Sequence, residues 1–272
     1  ATDDVPETSE YTISEPEDEP EETFFPIYIY EDSLDKFFEV DMDGDGTSEK
    51  LIFRSNDDGY GYSISIAEEN SGIEISTDIQ QSVFIMIVDL DPSDAYKEIL
   101  LTGDECSADY VTYCLRFGLG DFHTVKFYDS YSMEYKSYFP GLLLSCTDTT
   151  IAVQRQIDLL GTYSGNMQMT YSPVNSVFDP VNSIYVFDYS KMTNKEIWIN
   201  KSIRTKKELP VYIANNSGLY VESTLAAGTT ILLTGTDLDT YVSFITADGT
   251  EGFIRDYHFM HGVSDEYEGL IM

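Results

Sequence analysis

The chain has 272 residues, 42% of them hydrophobic, which is enough for one large domain or two modest domains with proper cores. It carries 49 acidic and 15 basic residues and a formal net charge of −34. This charge argues against binding to nucleic acid or anionic lipid, since both are polyanions, and it favours divalent cations. No apolar run reaches the roughly 18 residues that a membrane-spanning helix needs.

Residues 1–23 are strongly acidic, with ten acidic residues, three prolines and no lysine or arginine. So little apolar content does not offset the entropic cost of ordering the chain, and the stretch is predicted to be a disordered acidic linker. On an exported protein it would act as a tether, and a simple solvated leader is the alternative. The chain begins at Ala1 rather than at Met, which fits either a removed signal sequence or a shortened chain.

Short β-strand patterns begin at Phe24 and continue to about residue 190. Segments such as 51–54 and 83–88 are rich in β-branched and aromatic residues, and no amphipathic helix of convincing length is evident. Two copies of a strand, acidic loop and strand begin their loops at Asp41 and Asp89, 48 residues apart. A repeat of this length made of short strands is typical of a β-propeller blade.

The stretch from Asp41 to Glu49 holds the most specific chemistry in the chain, with four carboxylates and two glycines in nine residues. A loop of the form Asp-x-Asp-x-Asp-Gly turns three carboxylates inward towards a cation such as calcium, and Gly46 permits the sharp reversal. An EF-hand would need flanking helices and a glutamate at the twelfth position, where Ile52 stands. The pattern therefore predicts a shorter calcium loop between two strands.

These residues, followed by Leu51-Ile52-Phe53, resemble the FG-GAP or VCBS repeats of calcium-binding β-propellers, including those of integrin α-subunits. In that family the first, third, fifth and ninth loop positions supply side chains, and the seventh supplies its carbonyl oxygen. The resemblance implies a calcium site formed by the side chains of Asp41, Asp43, Asp45 and Glu49 and the carbonyl of Thr47.

The second copy departs from this pattern. Ser93 stands at the fifth position, Asp94 replaces the turn glycine and Lys97 stands at the ninth. A lysine would repel a metal ion, and Glu98 substitutes only if the loop bulges by one residue. The alternative is that Asp89 and Asp91 only form a turn by accepting backbone hydrogen bonds.

The C-terminal part resembles a bacterial Src-homology-3-like domain. The residues that carry the resemblance are Leu209-Pro210-Val211-Tyr212, Leu225-Ala226-Ala227-Gly228-Thr229 and Asp248-Gly249-Thr250-Glu251-Gly252-Phe253-Ile254. The family usually has Trp where Phe253 stands. The resemblance implies a small barrel over 207–258, preceded by a basic connector at 191–206 and followed by a tail at 259–272. Such domains often accompany cell-wall hydrolases and surface proteins of Gram-positive bacteria.

Signals for an enzyme are weak. The chain has no Gly-x-Ser-x-Gly elbow, phosphate-binding glycine loop or His-Glu-x-x-His motif. His258 and His261 could share a metal but lack an assigned third ligand. Three cysteines are too few for a disulfide framework and fit buried small hydrophobes, and a pair between Cys106 and Cys114 is the open alternative.

The sequence therefore predicts an all-β chain with a small or incomplete β-propeller-like domain over 24–190 and the C-terminal barrel. The predicted function is that of a non-enzymatic, calcium-stabilised extracellular or cell-surface binding protein, whose ligand is a glycan, peptidoglycan or a surface protein. A cell-wall or glycan hydrolase with unrecognised carboxylate catalysts is the alternative. The 21 tyrosines suit stacking on sugars or binding peptides, or they fill sheet faces.

Overall fold

The structure is a computed structural model. It describes residues 27–29, 37–55, 62–66, 72–75, 81–104, 109–158, 162–193, 195–197, 201–215, 217–255 and 267–268. These residues form 22 β-strands and one helical turn at 195–197, so the predicted all-β class is confirmed. No helix within these ranges is long and apolar enough to cross a membrane. The predicted linker at 1–23 and all but two residues of the predicted tail lie outside the described residues.

The first four-stranded unit is an antiparallel meander in which consecutive strands pair. Its strands are β2 (Phe37–Val40), β3 (Glu49–Ser55), β4 (Tyr62–Ile66) and β5 (Gly72–Ile75). The acidic stretch forms the loop of its first hairpin, with Val40 opposite Glu49 at the base. The predicted placement of this loop between two strands is therefore correct.

The second four-stranded unit repeats this arrangement. Its strands are β6 (Gln81–Val88), β7 (Glu98–Asp104), β8 (Tyr110–Gly118) and β9 (Asp121–Asp129), and β1 (Ile27–Ile29) pairs with β6 on the outside. Consecutive strands again pair antiparallel, and the loop that begins at Asp89 joins the first two. The two copies seen in the sequence are thus equivalent hairpins of two meanders.

Apolar side chains pack the two meanders against each other. Met42, Leu51 and Phe53 of the first meander are fully buried in one cluster with Ile87 and Leu101 of the second. Burial of large apolar side chains contributes about 1.5–3 kcal/mol each relative to exposure. This packing holds the two acidic loops on the same side of the paired meanders.

The sheet continues beyond β9 through a third group of strands. They are β10 (Glu134–Lys136), β11 (Leu142–Thr147), β12 (Thr150–Asp158), β13 (Thr162–Ser172), β14 (Val177–Pro180) and β15 (Tyr185–Phe187). β12 and β13 form a long hairpin, and β14 pairs parallel with β9, which makes the sheet mixed. Residues with no strong repeat signal in the sequence therefore extend the same sheet.

The C-terminal strands join this sheet directly. They are β16 (Ser202–Thr205), β17 (Leu209–Ala214), β18 (Tyr220–Leu225), β19 (Thr230–Thr236), β20 (Tyr241–Thr246), β21 (Glu251–Arg255) and β22 (Tyr267–Glu268). β15 pairs with β19, with Tyr185 opposite Thr236. Backbone hydrogen bonds therefore join a strand that precedes the predicted connector at 191–206 to a strand that follows it. Part of that connector is itself strand β16, which also pairs with β19.

The closed barrel predicted over 207–258 is not observed in the described residues. The strand order there is β18, β17, β21, β20, β19, and no ladder joins β18 to β19. The physical reason is that the outer edge of β19 is occupied by β15 and β16, while β18 is exposed along residues 220–224. The described C-terminal strands therefore form an open sheet. The order of the strands in the rest of the chain does not by itself identify a propeller.

Candidate metal centre

The first acidic loop is closed by the carboxylate of Asp41. Its Oδ1 accepts a hydrogen bond from the Gly44 N–H at 2.7 Å, and its Oδ2 accepts one from the Gly46 N–H at 3.0 Å. Both glycines have positive φ, 73° and 88°, which side chains with a Cβ rarely adopt. One aspartate and two glycines therefore set the turns within the loop locally.

Three carboxylates converge inside this loop. Asp41, Asp43 and Glu49 each offer an oxygen, and these oxygens lie within 4.8 Å of one another. Two oxygens bound to one calcium ion at about 2.3–2.6 Å lie at most about 5 Å apart, so the spacing fits a shared cation. The pKa of Glu49 is raised above its usual value by burial, and the charges of Asp43 and Asp41 raise it further. A cation at the centre would relieve this repulsion.

The other two predicted ligands lie differently. Asp45 is exposed and is not part of the three-carboxylate cluster, because its Oδ1 accepts a hydrogen bond from the Thr47 N–H at 2.7 Å. Thr47 is also exposed. The structure thus brings together three of the four predicted carboxylates, and Asp45 shapes the turn through the Thr47 N–H.

The second loop reproduces the closing contact with one additional residue. In the first loop the Met42 N–H donates to Glu49 Oε2 at 2.6 Å, and in the second the Leu90 N–H donates to Glu98 Oε2 at 3.0 Å. Met42 and Leu90 are both fully buried. The partners are seven residues apart in the first loop and eight in the second. Glu98 therefore takes the place of Glu49 through a one-residue bulge.

Basic side chains neutralise the second loop. Lys97 Nζ lies 2.6 Å from Asp89 Oδ2, and the Arg116 guanidinium contacts Asp94. Arg116 Nη1 also lies 3.3 Å from Glu98 Oε1, although this oxygen makes no well-formed hydrogen bond in the described structure. Lys97 and Arg116 thus place positive charge beside Asp89 and Glu98, which correspond to Asp41 and Glu49 of the first loop. The predicted repulsion of a metal by Lys97 agrees with this arrangement.

Arg116 was not recognised in the sequence. It lies 22 residues from Asp94 and 55 residues from Tyr171, whose hydroxyl accepts a hydrogen bond from Nη1 at 2.6 Å. Its guanidinium carbon also lies 4.7 Å from the centre of the Tyr96 ring. No local motif marks an arginine in the middle of a strand as the partner of a distant loop, so only the fold reveals this role.

The two loops are in direct contact. The Lys97 N–H donates to the Met42 carbonyl at 2.8 Å, and Gly44 packs on Ala95. A Cβ atom placed on Gly44 would lie 2.1 Å from the Cβ of Ala95. The shape of the first loop is therefore coupled to the position of the second.

We expect Gly44→Ala to destabilise the protein more than Gly46→Ala. Both positions have positive φ and carry a backbone cost of about 1–2 kcal/mol, whereas only Gly44 has a neighbour within 4 Å of the new Cβ. Overpacking adds about 1–3 kcal/mol to the first variant. Urea unfolding of both variants measures the difference, and equal free energies of unfolding would contradict the packing of the two loops.

Burial raises the pKa of Glu98 to about 7, because its side chain is fully buried and this outweighs the attraction of Arg116. A carboxyl group with a raised folded-state pKa contributes stability below its unfolded pKa of about 4.3, and this contribution is lost as the pH rises towards 7. Relative to the parent chain, Glu98→Gln is therefore expected to gain up to about 3 kcal/mol in free energy of unfolding between pH 4 and about pH 8. Urea unfolding across this pH range tests the prediction, with the exposed Glu251→Gln as control. Free energies of unfolding that depend on pH in the same way in all three proteins would contradict it.

The remaining candidate residues give no second reactive centre in the described part of the chain. Cys114 and Cys146 are free thiols, and burial raises the pKa of both, that of Cys146 to about 12. This fits the predicted role of cysteines as small buried residues. Cys106, His258 and His261 lie outside the described residues.

A separate cleft of about 420 Å³ lies away from the loops, beside the β12–β13 hairpin. It is lined from β8 by Tyr110, from the segment before β11 by Tyr138, and from the hairpin by Gln154, Gln156 and Ser164. Its volume lies within the range of about 300–1,000 Å³ found for small-molecule sites.

No protein-family model, curated protein or solved structure matches this chain significantly. The geometry of its own residues is therefore the basis for assigning a function.

Proposed function

We propose that this protein is a non-enzymatic, calcium-stabilised binding protein that acts outside the cell or at the cell surface. Its N-terminal meanders would be blades of an incomplete β-propeller, and its C-terminal strands a relative of Src-homology-3-like domains. The observation that carries the proposal is the convergence of Asp41, Asp43 and Glu49 in the loop between β2 and β3. The acidic composition of residues 1–23 and the two family resemblances support an exported protein.

The donor set favours calcium over other cations. The three converging groups are all carboxylates, and hard oxygen ligands suit calcium or magnesium, whereas zinc and copper sites usually include histidine or cysteine. Much of the loop is exposed, which leaves room for water or the Thr47 carbonyl to complete a shell of six to eight oxygens. Magnesium needs a stricter octahedron and retains more of its water, so calcium fits this flexible loop better.

The ion would stabilise the fold. Bound calcium would supply positive charge to Asp41, Asp43 and Glu49, as Lys97 and Arg116 supply it to the second loop. The first loop contacts the second, and Met42 within it is buried between the two meanders. Stabilising the loop therefore stabilises the packing of both meanders.

Binding is favoured over hydrolysis by the lining of the cleft beside the β12–β13 hairpin. A glycosidase of the usual kind needs two carboxyl groups about 5–10 Å apart across its substrate. This cleft has one carboxylate in its lining, Asp109, together with two tyrosines and two glutamines. Such a lining holds a ligand without supplying an acid and a nucleophile.

The experiment is a binding screen against glycans, peptidoglycan and surface proteins, run at increasing temperature with calcium and with chelator. We expect a ligand to be retained and recovered chemically intact, and we expect the temperature at which binding is lost to fall when calcium is removed. Cleavage of the ligand would support the hydrolase instead. If binding is lost at the same temperature with calcium and with chelator, the stabilising role of the ion is refuted.

A further inference from the structure

The cleft beside the β12–β13 hairpin is nearly balanced in charge although the whole chain has a formal net charge of −34. Its lining includes one acidic residue, Asp109, and one basic residue, Arg155. The Arg155 guanidinium is already paired with buried Asp129, whose Oδ1 it contacts at 2.9 Å. The lining therefore carries few charges for so acidic a chain, and its chemistry suits an uncharged ligand better than a polyanion or a polycation.

Much of the β12 backbone at the cleft is already paired. β12 pairs with β13 along its whole length, with Gln156 opposite Ser164, and its pairing with β11 ends where Leu142 is opposite Gln154. An extended peptide that binds by adding a strand needs a free edge. β12 has none at Gln154, so a ligand there must be recognised by side chains.

The polar side chains of the cleft are amides and hydroxyls held in a row. Gln154 donates from Nε2 to Asn166 Oδ1 at 2.8 Å, with Asp188 Oδ2 at 3.5 Å from the same nitrogen. This fixes the plane of its amide. Gln156 and Ser164 lie at the next facing position along the same hairpin, and both are exposed. Amides and hydroxyls donate and accept hydrogen bonds, as sugar hydroxyls do.

Two aromatic side chains, Tyr110 and Tyr138, line the same cleft and form its aromatic wall. Tyr138 is half-buried, packs against the apolar cluster between the meanders, and has its ring 5.8 Å from that of Tyr113. The next residue, Phe139, is fully buried and exchanges two backbone hydrogen bonds with Thr112 of β8, at 2.8 and 2.9 Å. The wall is therefore anchored before a ligand arrives, which lowers the entropic cost of binding. Rigid aromatic side chains offer a large contact area with a polar tip.

From these observations we propose that the cleft formed by Tyr110, Tyr138, Gln154, Gln156 and Ser164 binds a neutral oligosaccharide. Sugar rings pack their C–H faces on the tyrosines, and the glutamine and serine side chains hydrogen-bond the hydroxyl groups. The site is separate from the acidic loops. The inference rests on the proposed binding function and narrows its ligand to an uncharged glycan.

The test is titration calorimetry of the full chain, with calcium present, against chitohexaose, cellohexaose and an oligogalacturonate of the same length. We expect at least one neutral hexasaccharide to bind, and the acidic oligomer to bind at least about tenfold more weakly. Tyr138→Ala should weaken binding by at least about tenfold, and Gln156→Ala by about fivefold or more. Because Gln156 is exposed, its variant is expected to fold even if the loss of Tyr138 disturbs the wall.

Tyr220→Ala is the control, since Tyr220 is an exposed tyrosine that lies on β18, outside the lining of the cleft. It should bind the oligosaccharide as the parent chain does. Unchanged binding in both cleft variants would overturn the site while leaving the binding function intact. Failure of both neutral hexasaccharides to bind would overturn the ligand class. The binding function is then decided by the screen against glycans, peptidoglycan and surface proteins. Cleavage of a bound hexasaccharide would keep the cleft and refute the non-enzymatic function.

Discussion

Calcium is expected to raise the melting temperature of this protein by roughly 5–10 °C when its concentration is about a hundredfold above the dissociation constant. Binding to the folded state alone at that excess contributes about 2.7 kcal/mol, and a domain of this size shifts by about 2–4 °C per kcal/mol. The physical source is the repulsion among Asp41, Asp43 and Glu49, whose oxygens lie within 4.8 Å of one another. Scanning calorimetry with calcium and with chelator measures the shift.

Asp43→Asn should abolish most of this calcium response. Asp43 is the best member of the cluster to change, because in the described structure its carboxylate makes only a long contact of 3.2 Å with the Asp45 N–H, whereas Asp41 closes the whole loop. Asp239→Asn removes one negative charge from an exposed turn and should leave the response intact. A calcium shift that survives in Asp43→Asn would rule out the first loop as the site.

The same titration tests how many ions bind. We expect one calcium ion per chain, since Lys97 and Arg116 already occupy the acidic groups of the second loop. Asp45→Asn tests whether Asp45 is a ligand of the ion, as the family resemblance implies, or lies outside the cluster, as in the structure. A small effect agrees with its position outside the cluster, and an effect equal to that of Asp43→Asn means that Asp45 turns inward when the ion binds.

The second large effect is expected at Arg116. Arg116→Met should lower the free energy of unfolding by about 2–3 kcal/mol, because it removes a partly buried cation whose ion pairs and charge-assisted hydrogen bonds hold the second loop. The groups left behind are Asp94, fully buried Glu98 and the Tyr171 hydroxyl. Methionine retains much of the apolar bulk of arginine, so the loss reports mainly on charge and hydrogen bonding. Urea unfolding near neutral pH measures it.

Arg255→Met is the control for this effect. Arg255 is exposed and stacks on Tyr212, with its guanidinium carbon 4.5 Å from the ring centre. A cation on an exposed ring contributes only about 0.5–1 kcal/mol, so this variant should be close to the parent chain. Similar losses in both variants would show that Arg116 does not organise the second loop.

The second loop keeps the Asp-x-Asp pattern but, in the part of the chain that the structure describes, does not repeat the three-carboxylate cluster of the first loop. Its bulge brings Glu98 to the backbone N–H of Leu90, as Glu49 comes to that of Met42. The hairpin geometry is therefore retained, while Lys97 and Arg116 provide the positive charge internally. The internal cations make this hairpin independent of a metal ion, and under the proposed function only the first hairpin would respond to calcium.

The sequence alone determined the features whose causes are local. Asp41, Gly44, Gly46 and Glu49 lie within nine residues, and backbone conformation plus short-range hydrogen bonds favour the turns of the loop. The alternation of apolar and polar residues likewise determined the all-β class, because side chains of a strand point to opposite faces. Asp45 was assigned to the site by position in the motif, and its contact with the Thr47 N–H is one that the motif does not reveal.

Only the tertiary structure decided which distant residues meet. Strand patterns do not specify partners, so the pairing of β15 with β19, which keeps the C-terminal strands in an open sheet, could not be read from periodicity. The contact of Gly44 with Ala95, the position of Arg116 among loop carboxylates, and the cleft at Tyr138 each join segments far apart in the chain. Hydrogen-bonded ladders and shared burial select these contacts from many that local sequence permits equally.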